Sequence, residues 1–307
     1  MRIAVMAAGA VGGYFGARMA AAGHDVNFIA RGAHRDAIRA NGLVVESPLG
    51  KLHLKDARVS DDPREVGPVD IVLFAVKLWD TETAAELSRP LIGPDTRLIT
   101  LQNGIDSVER IAPILGADRV VGGSAYIASV IERPGVIAHT SQVAGMRCGR
   151  IDGKPDPLLE AFANAATAAS IDIVASAQIN HDRWRKFGFL VAVSGITAAS
   201  RQPMGVMIAD PDMKAFFRKL MEEVVAVGRA SGVDLGDGFV EEHLKFAGTL
   251  PFGMKASMAH DLDRGNRLEL DWLAGKVVEL GRKLQVAVPA NEAVYAILKP
   301  YRLGKSA

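Results

Sequence analysis

The chain has 307 residues, enough for two domains and a sizeable core. Basic and acidic side chains nearly cancel, leaving a formal charge of +1, so no nucleic acid or membrane surface is indicated as a partner. The single cysteine, Cys148, excludes an intrachain disulfide and argues against a cysteine-based zinc site; the seven histidines lack ligand-like spacing, and no metal is expected. A reducing cytoplasm is the expected location, because a strand signal begins at Arg2 and no apolar run approaches the roughly 20 residues of a spanning helix.

Residues 2–31 read as strand, glycine turn, helix, strand and basic residue. Arg2-Ile3-Ala4-Val5-Met6 is a short buried strand, residues 7–13 form the turn, and Tyr14 to Ala22 carries small residues at helical spacing, which let a helix sit close to a sheet. His24 to Ala30 is the second strand, and Arg31 follows at once. In a G-x-G-x-x-G turn the unpaired N–H groups of the helix receive a pyrophosphate, and glycines keep side chains out of its path. Here the turn is Ala7-Ala8-Gly9-Ala10-Val11-Gly12, with alanine in place of the first glycine. The methyl is tolerated if the backbone dihedrals allow it and otherwise pushes the turn outward. An acidic residue after the second strand would hold the ribose hydroxyl of NAD, whereas an arginine pairs with the 2′-phosphate of NADP. Arg31 therefore points to NADPH, with Arg35 as a second candidate contact.

Farther along, Val69 to Val76 is a buried strand ending at Lys77, and Arg97 to Leu101 is another ending at Gln102-Asn103-Gly104. Helical segments follow each, at Thr81 to Ser88 and Ser107 to Leu115. A further strand begins at Val120, and Gly135 to Gly149 looks like an antiparallel extension at the sheet edge. From His181 onward the pattern is helical, over 183–199, 212–231, 236–248 and 268–284, with Gly232 and Gly281 near helix ends and Pro211 and Pro289 at helix-start or loop positions. The expected fold is an α/β dinucleotide-binding domain of Rossmann type over residues 1–178 followed by an all-α substrate domain over 179–307, with the catalytic site between them.

Ligands of open α/β sheets gather beyond the carboxyl ends of strands, which singles out Lys77 and Asn103. The ordinary alternatives are a solvated lysine and a turn-forming Asn-Gly pair. In the helical half, Lys186 lies on an otherwise apolar segment, Trp184-Arg185-Lys186-Phe187, where it either serves as a proton donor or reaches out to solvent. Glu269 falls near the start of the last long helix, a position that the helix dipole alone would favour for a carboxylate.

These residues, with Ala75-Val76-Lys77, Gln102-Asn103-Gly104, Lys255-Ala256-Ser257-Met258, Asp261, Glu269-Leu270-Asp271 and Val288-Pro289-Ala290-Asn291, line up with a family. The chain resembles the ketopantoate reductases (2-dehydropantoate 2-reductases) from Met1 to about Pro300. The resemblance implies NADPH-dependent reduction of a 2-oxo acid to a 2-hydroxy acid, with 2-dehydropantoate as substrate and pantothenate biosynthesis as pathway, in a homodimer. It implies Lys186 as general acid, Glu269 as the carboxylate orienting substrate, and Asn103 as the contact linking cofactor and lysine. The implied cofactor contacts are Ala7, Ala8, Gly9, Ala10, Val11, Gly12, Arg31, Lys77, Asn103 and Ala128. The implied substrate contacts are Lys186, Leu190, Ser194 and Ser257. Leu190, Ser194 and Met204 stand where the family commonly places asparagines, so the pocket reads as more apolar. A more hydrophobic ketone, keto acid or imine is the alternative substrate, and a non-catalytic NADP-binding module is the alternative outside enzymes.

Overall fold

The computed structural model describes residues 1–305, which form two compact units. One unit comprises Met1–Gln102 and Asp106–Ile179; the other comprises Asn103–Ile105 and the chain from Asn180 onward.

The first unit is built on one ten-stranded sheet. Its elements in order are β1 (Arg2–Met6), α1 (Ala10–Ala21), β2 (Asp25–Ile29), α2 (Gly32–Asn41), β3 (Leu43–Glu46), β4 (Leu52–Leu54), β5 (Arg58–Ser60), β6 (Val69–Phe74), α3 (Thr81–Leu87), β7 (Ile92–Thr100), α4 (Ser107–Leu115), β8 (Val120–Arg133), β9 (Val136–Gly149), α5 (Pro157–Ala168) and β10 (Asp172–Ala175). The strands lie in the order β4-β3-β9-β8-β7-β6-β1-β2-β5, with β10 beside β9. From β5 to β8 every pairing is parallel. Six strands in that order, reversing direction of travel between β1 and β6, make the dinucleotide fold, whose ligands collect at the reversal. The expected Rossmann-type α/β architecture is present.

The strands are apolar on both faces because both faces are covered. Ile3 and Val5 of β1 join a core with Phe15 of α1 and Phe28 of β2, while Ala4 and Met6 join a second core with Phe74, Leu98 and Ile111. Glycines set the helix-to-sheet distance. An added Cβ at Gly12 would come within 2.8 Å of Val5 Cγ1, and one at Gly16 within 2.5 Å of Val5 Cγ2.

Residues 135–149 depart from the edge-extension reading. They form β9, the antiparallel partner of β8, but β9 is interior. β3 runs parallel to its first part, from Val44 opposite Val136, and β10 to its last part, from Asp172 opposite Gly145. The two short strands that flank β9, β3 and β10, have four residues each, too short to show a period of two.

The second unit is helical: α6 (Ile179–Ser200), α7 (Met204–Ala209), α8 (Pro211–Ala230), α9 (Phe239–Ala247), α10 (Ser257–Arg264), α11 (Ala274–Leu284) and α12 (Pro289–Leu298). Its core gathers Phe187, Val191, Phe217, Val224, Leu270, Val277 and Val294. Val191 to Ala198 of α6 are buried without exception, which explains why this stretch lacks amphipathic spacing. Among the described residues no helix is long and apolar enough to cross a membrane.

The expected helix over 268–284 is interrupted. Leu270–Trp272 is a single 3₁₀ turn that follows Glu269, and Leu273, at φ −105° and ψ −102°, separates it from α11. Glu269 therefore precedes a short turn and does not start a long helix. Gly281 lies in the last turn of α11, near the helix end as expected, and a side chain there would meet Val288 Cγ2 at 2.8 Å, so the glycine also permits close packing. The helix ends at Gln285, in the left-handed region at φ 59°. The Val288-Pro289-Ala290-Asn291 stretch has a structural explanation: the buried Glu223 carboxylate of α8 accepts from the N–H groups of Ala290 (2.8 Å) and Asn291 (2.9 Å) and from Asn291 Nδ2 (2.8 Å). It caps the first turn of α12, where backbone donors have no partner within the helix.

Candidate active site

Two groups of predicted site residues occur, one in each unit. In the first, Ala7 to Gly9 follow β1 and Ala75 to Lys77 follow β6, so the two segments flank the reversal of strand order. Ala7 adopts φ 63°, the left-handed conformation that glycine enters without penalty. The turn therefore keeps the glycine-like dihedral and holds the alanine in it. Gly9 is the N-cap of α1 and has no side-chain cap; a Cβ added there would meet nothing within 4 Å. Open space at Gly9 and the unpaired first-turn donors of α1 fit a pyrophosphate group.

Arg31 is the residue immediately before α2, just after β2, and its side chain makes no capping bond. Its side chain is exposed and has no hydrogen bond or ion pair among the described residues, so the guanidinium is available to a ribose phosphate. Arg35 is already engaged: it donates to Asp36 and pairs with Asp61. His34, which the sequence did not single out, joins two loops. Its Nε2 lies 3.0 Å from the Ala8 carbonyl oxygen, and its Nδ1 accepts from the Gly135 N–H at 3.1 Å.

Lys77 is exposed at the end of β6, with Nζ 5.6 Å from the centre of the Trp79 ring. Ala128 is exposed at an irregularity of the β8–β9 hairpin, where its N–H donates to Ser141 Oγ at 3.2 Å. Among the described residues no hydrogen bond joins it to the Ala7–Gly12 turn. Cys148 is fully buried, and burial pushes its thiol up to about 12, so it is inert as a nucleophile near neutrality.

In the second unit Lys186 of α6 donates from Nζ to Asn103 Oδ1 at 3.1 Å. Asn103 is held near α6 by its own segment: Arg183, buried and one turn before Lys186, donates to the carbonyl oxygen of Ile105. The sequence reading missed Arg183, because nothing local distinguishes a buried arginine serving a backbone carbonyl from a solvated one. Burial lowers the Lys186 ammonium from its ordinary value to about 8, and the negative charge of the buried Glu269 opposes that shift. The structure thus brings Lys186, Glu269 and Asn103 together from three separate stretches of chain.

Leu190 and Ser194 follow Lys186 at successive turns of α6. Leu190 is part-buried, whereas Ser194 is 1% exposed and its hydroxyl has no hydrogen-bond partner among the described residues. Met204, 1% exposed, belongs to the unit's core. Thr197, farther along α6, accepts from the Ala256 N–H at 3.4 Å. That contact fixes the start of α10, where Ser257 is exposed as the first helical residue and no side chain caps the helix. Among the described residues no group of three or more His, Cys, Asp or Glu could hold a metal ion.

Taken together, the α/β unit offers a seat for a dinucleotide phosphate and the helical unit offers an ammonium set between a carboxylate and an amide. Comparison with known proteins gives the same direction. Residues 3–153 match the family described as ketopantoate reductase PanE/ApbA, and residues 178–302 match its C-terminal part. The chain is 30% identical over 305 residues to the uncharacterized oxidoreductase YkpB of Bacillus subtilis, covering 99% of this chain and 100% of that protein. It is 31% identical to a 2-dehydropantoate 2-reductase of Mesorhizobium japonicum, covering 97% of each. A crystal structure of a PanE/ApbA family ketopantoate reductase from Ralstonia eutropha superposes with a TM-score of 0.90 at 32% identity over 98% of both chains. The chain belongs to the ketopantoate reductase family and is an NADPH-dependent oxidoreductase that reduces 2-oxo acids.

Proposed function

We propose that this enzyme reduces 2-dehydropantoate to pantoate in cytoplasmic pantothenate biosynthesis, with Lys186 as its general acid. The observation that carries this reading is the Lys186 ammonium, bonded to Asn103, influenced by buried Glu269 and lowered by burial to about 8. A group of that acidity is protonated at neutral pH and gives up its proton readily as negative charge develops beside it.

NADPH, when bound, supplies hydride to the carbonyl carbon of the substrate. Arg31 would pair with its 2′-phosphate, Gly9 and the donors of residues 10–12 would receive the pyrophosphate, Ala7 and Ala8 would shape the turn, and Lys77, Asn103 and Ala128 would serve the nicotinamide end. As the carbonyl oxygen gains charge, the Lys186 ammonium stabilises it and transfers the proton from Nζ. Asn103 aims the ammonium. Glu269 keeps the charged lysine populated in spite of burial and accepts from the substrate hydroxyl. Ser257, with the uncapped N-terminus of α10, takes the substrate carboxylate.

A second reading retains the chemistry on a less polar 2-oxo acid. It is favoured by the hydrocarbon side chain of Leu190 one turn from Lys186 and by the withdrawal of Met204 into the core. The deciding experiment is consumption of NADPH with 2-dehydropantoate and with apolar 2-oxo acids, using Lys186→Ala as control. Turnover of 2-dehydropantoate that disappears in the variant supports the first reading. Turnover confined to the apolar acids supports the second, and turnover that survives in Lys186→Ala refutes both assignments of the acid.

A further inference from the structure

We propose that His34 is a positioning residue for NADPH, a neutral clamp that ties the β1–α1 turn beside Arg31 to the β8–β9 hairpin at Gly135 and lets go of the hairpin when protonated. The inference rests on the reading that the Ala7–Gly12 turn and Arg31 hold the cofactor.

The two hydrogen bonds of the ring determine its state. A carbonyl oxygen only accepts, so Nε2, 3.0 Å from the Ala8 oxygen, carries the proton. A backbone N–H only donates, so Nδ1, 3.1 Å from the Gly135 nitrogen, is bare. Only the neutral ring makes both bonds: the imidazolium keeps Nε2–H donated to Ala8 but has no acceptor for Gly135. Protonation of Nδ1 sets two N–H groups against each other and breaks the link to Gly135.

His34 stands three residues after Arg31, in the first turn of α2. The Ala8 carbonyl it holds adjoins Ala7 at φ 63°, and the Ala8 N–H is bonded to Ile29 at 2.8 Å. The turn is thereby fixed from β2 on one side and from α2 on the other. Residues 7–13 contain no titratable side chain. On α2 the charged groups are Arg31, Arg35, Asp36 and Arg39; from β5 and the residue after it come Arg58 and Asp61, and from the hairpin turn Glu132 and Arg133. Arg35 pairs with Asp36 and Asp61, Arg58 with Asp25, and Arg133 with Glu132. Burial holds the imidazole below its ordinary 6.5, and the Ala8 bond opposes this in part. The neutral clamp is therefore complete above 6.5 and is lost as pH falls through the lowered value.

The test is the affinity for NADPH and for NADH, by fluorescence titration of the wild type, His34→Gln and His34→Ala, from about pH 8 down to the pH at which the His34 ring resonances show by NMR that it is protonated. The 2′-phosphate itself titrates near pH 6, about where a phosphate monoester does, so NADH is the arm that isolates the histidine. In the wild type NADH affinity should fall by about three- to tenfold over this range, the loss expected of one hydrogen bond. His34→Gln offers an amide donor for Ala8 and an amide acceptor for Gly135 and does not titrate, so its NADH affinity should stay near the wild-type value at pH 8 and remain flat. His34→Ala should bind weakly at every pH. Equal pH profiles in the wild type and His34→Gln overturn the proposal, and so does a wild type that binds neither nucleotide, which would also end the cofactor reading. If the variants fail to fold, the apoprotein decides by NMR: the Gly135 amide resonance should shift with the titration of His34, and an amide indifferent to it refutes the clamp.

Discussion

Lys186 and Asn103 are 83 positions apart in the chain, yet Nζ of one lies 3.1 Å from Oδ1 of the other. The bond gives the lysine a direction, and burial gives it acidity. Replacing Lys186 with alanine should lower kcat by about 10²- to 10⁴-fold, the range for loss of a positioned general acid, with NADPH affinity unchanged. Steady-state kinetics beside a nucleotide binding titration would show it.

The pH dependence follows from the same group. Lys186 acts as an acid only when protonated, so kcat/KM for reduction should fall above a pKa of about 8. Because Glu269 raises that value, Glu269→Gln should move the descending limb to lower pH. A limb that stays in place in the variant would separate Glu269 from the titrating group.

The lowered lysine also bears on stability, and the sign can be worked out. Its folded value, about 8, lies below the ordinary 10.5, so the charged form is disfavoured by folding. The penalty is complete below about 8 and vanishes as pH rises toward the unfolded value. At neutral pH Lys186→Met, which keeps the chain length and removes the charge, should therefore raise Tm by about 2–5 °C while abolishing activity. Calorimetry of the variant checks this, and a lower Tm would mean that the contacts with Asn103 and Glu269 outweigh the burial.

Arg31 has no partner among the described residues and stands at the position that distinguishes the two nicotinamide nucleotides. Arg31→Ala should raise the KM for NADPH by roughly 10- to 100-fold, as the loss of a charge-assisted pair with a phosphate would, and leave that for NADH nearly unchanged. Equal effects on both would remove the arginine from cofactor selection.

Ala7 holds a left-handed φ of 63°, for which an L-residue other than glycine incurs roughly 1 kcal/mol. Glycine would relieve that strain but add freedom to the unfolded chain. Ala7→Gly should accordingly change the unfolding free energy by less than about 1 kcal/mol. Ala7→Val should destabilise by about 1–2 kcal/mol more, because β-branching tolerates this region worst. Denaturant titration of the two variants would measure both.

Glu223 caps α12 from inside the helical core with three hydrogen bonds. Glu223→Ala should cost about 3 kcal/mol, since it leaves several donors buried and unpaired, without changing which nucleotide binds. The comparison of interest is with Glu223→Gln, which retains part of the cap and should lose less.

Local chemistry determined much of this protein. The strand, turn and helix of residues 2–21, the arginine after β2 and the passage from alternating strands to helices near residue 180 are written in short windows of sequence, where apolar period and glycine position act directly on the backbone. The tertiary structure decided the rest. It placed β9 inside the sheet, because the four-residue strands beside it derive their stability from partners and carry little pattern of their own. It broke the expected helix at Leu273, turned Gly281 into a packing contact, and showed that Ala7 occupies a glycine's conformation. It also assembled the candidate acid from Asn103, Lys186 and Glu269, and joined His34 to Ala8 and Gly135. Periodicity shows which face of an element is apolar, but which polar groups meet, and how far burial shifts their protons, depends on contacts between residues distant in sequence, and only the folded chain makes those contacts.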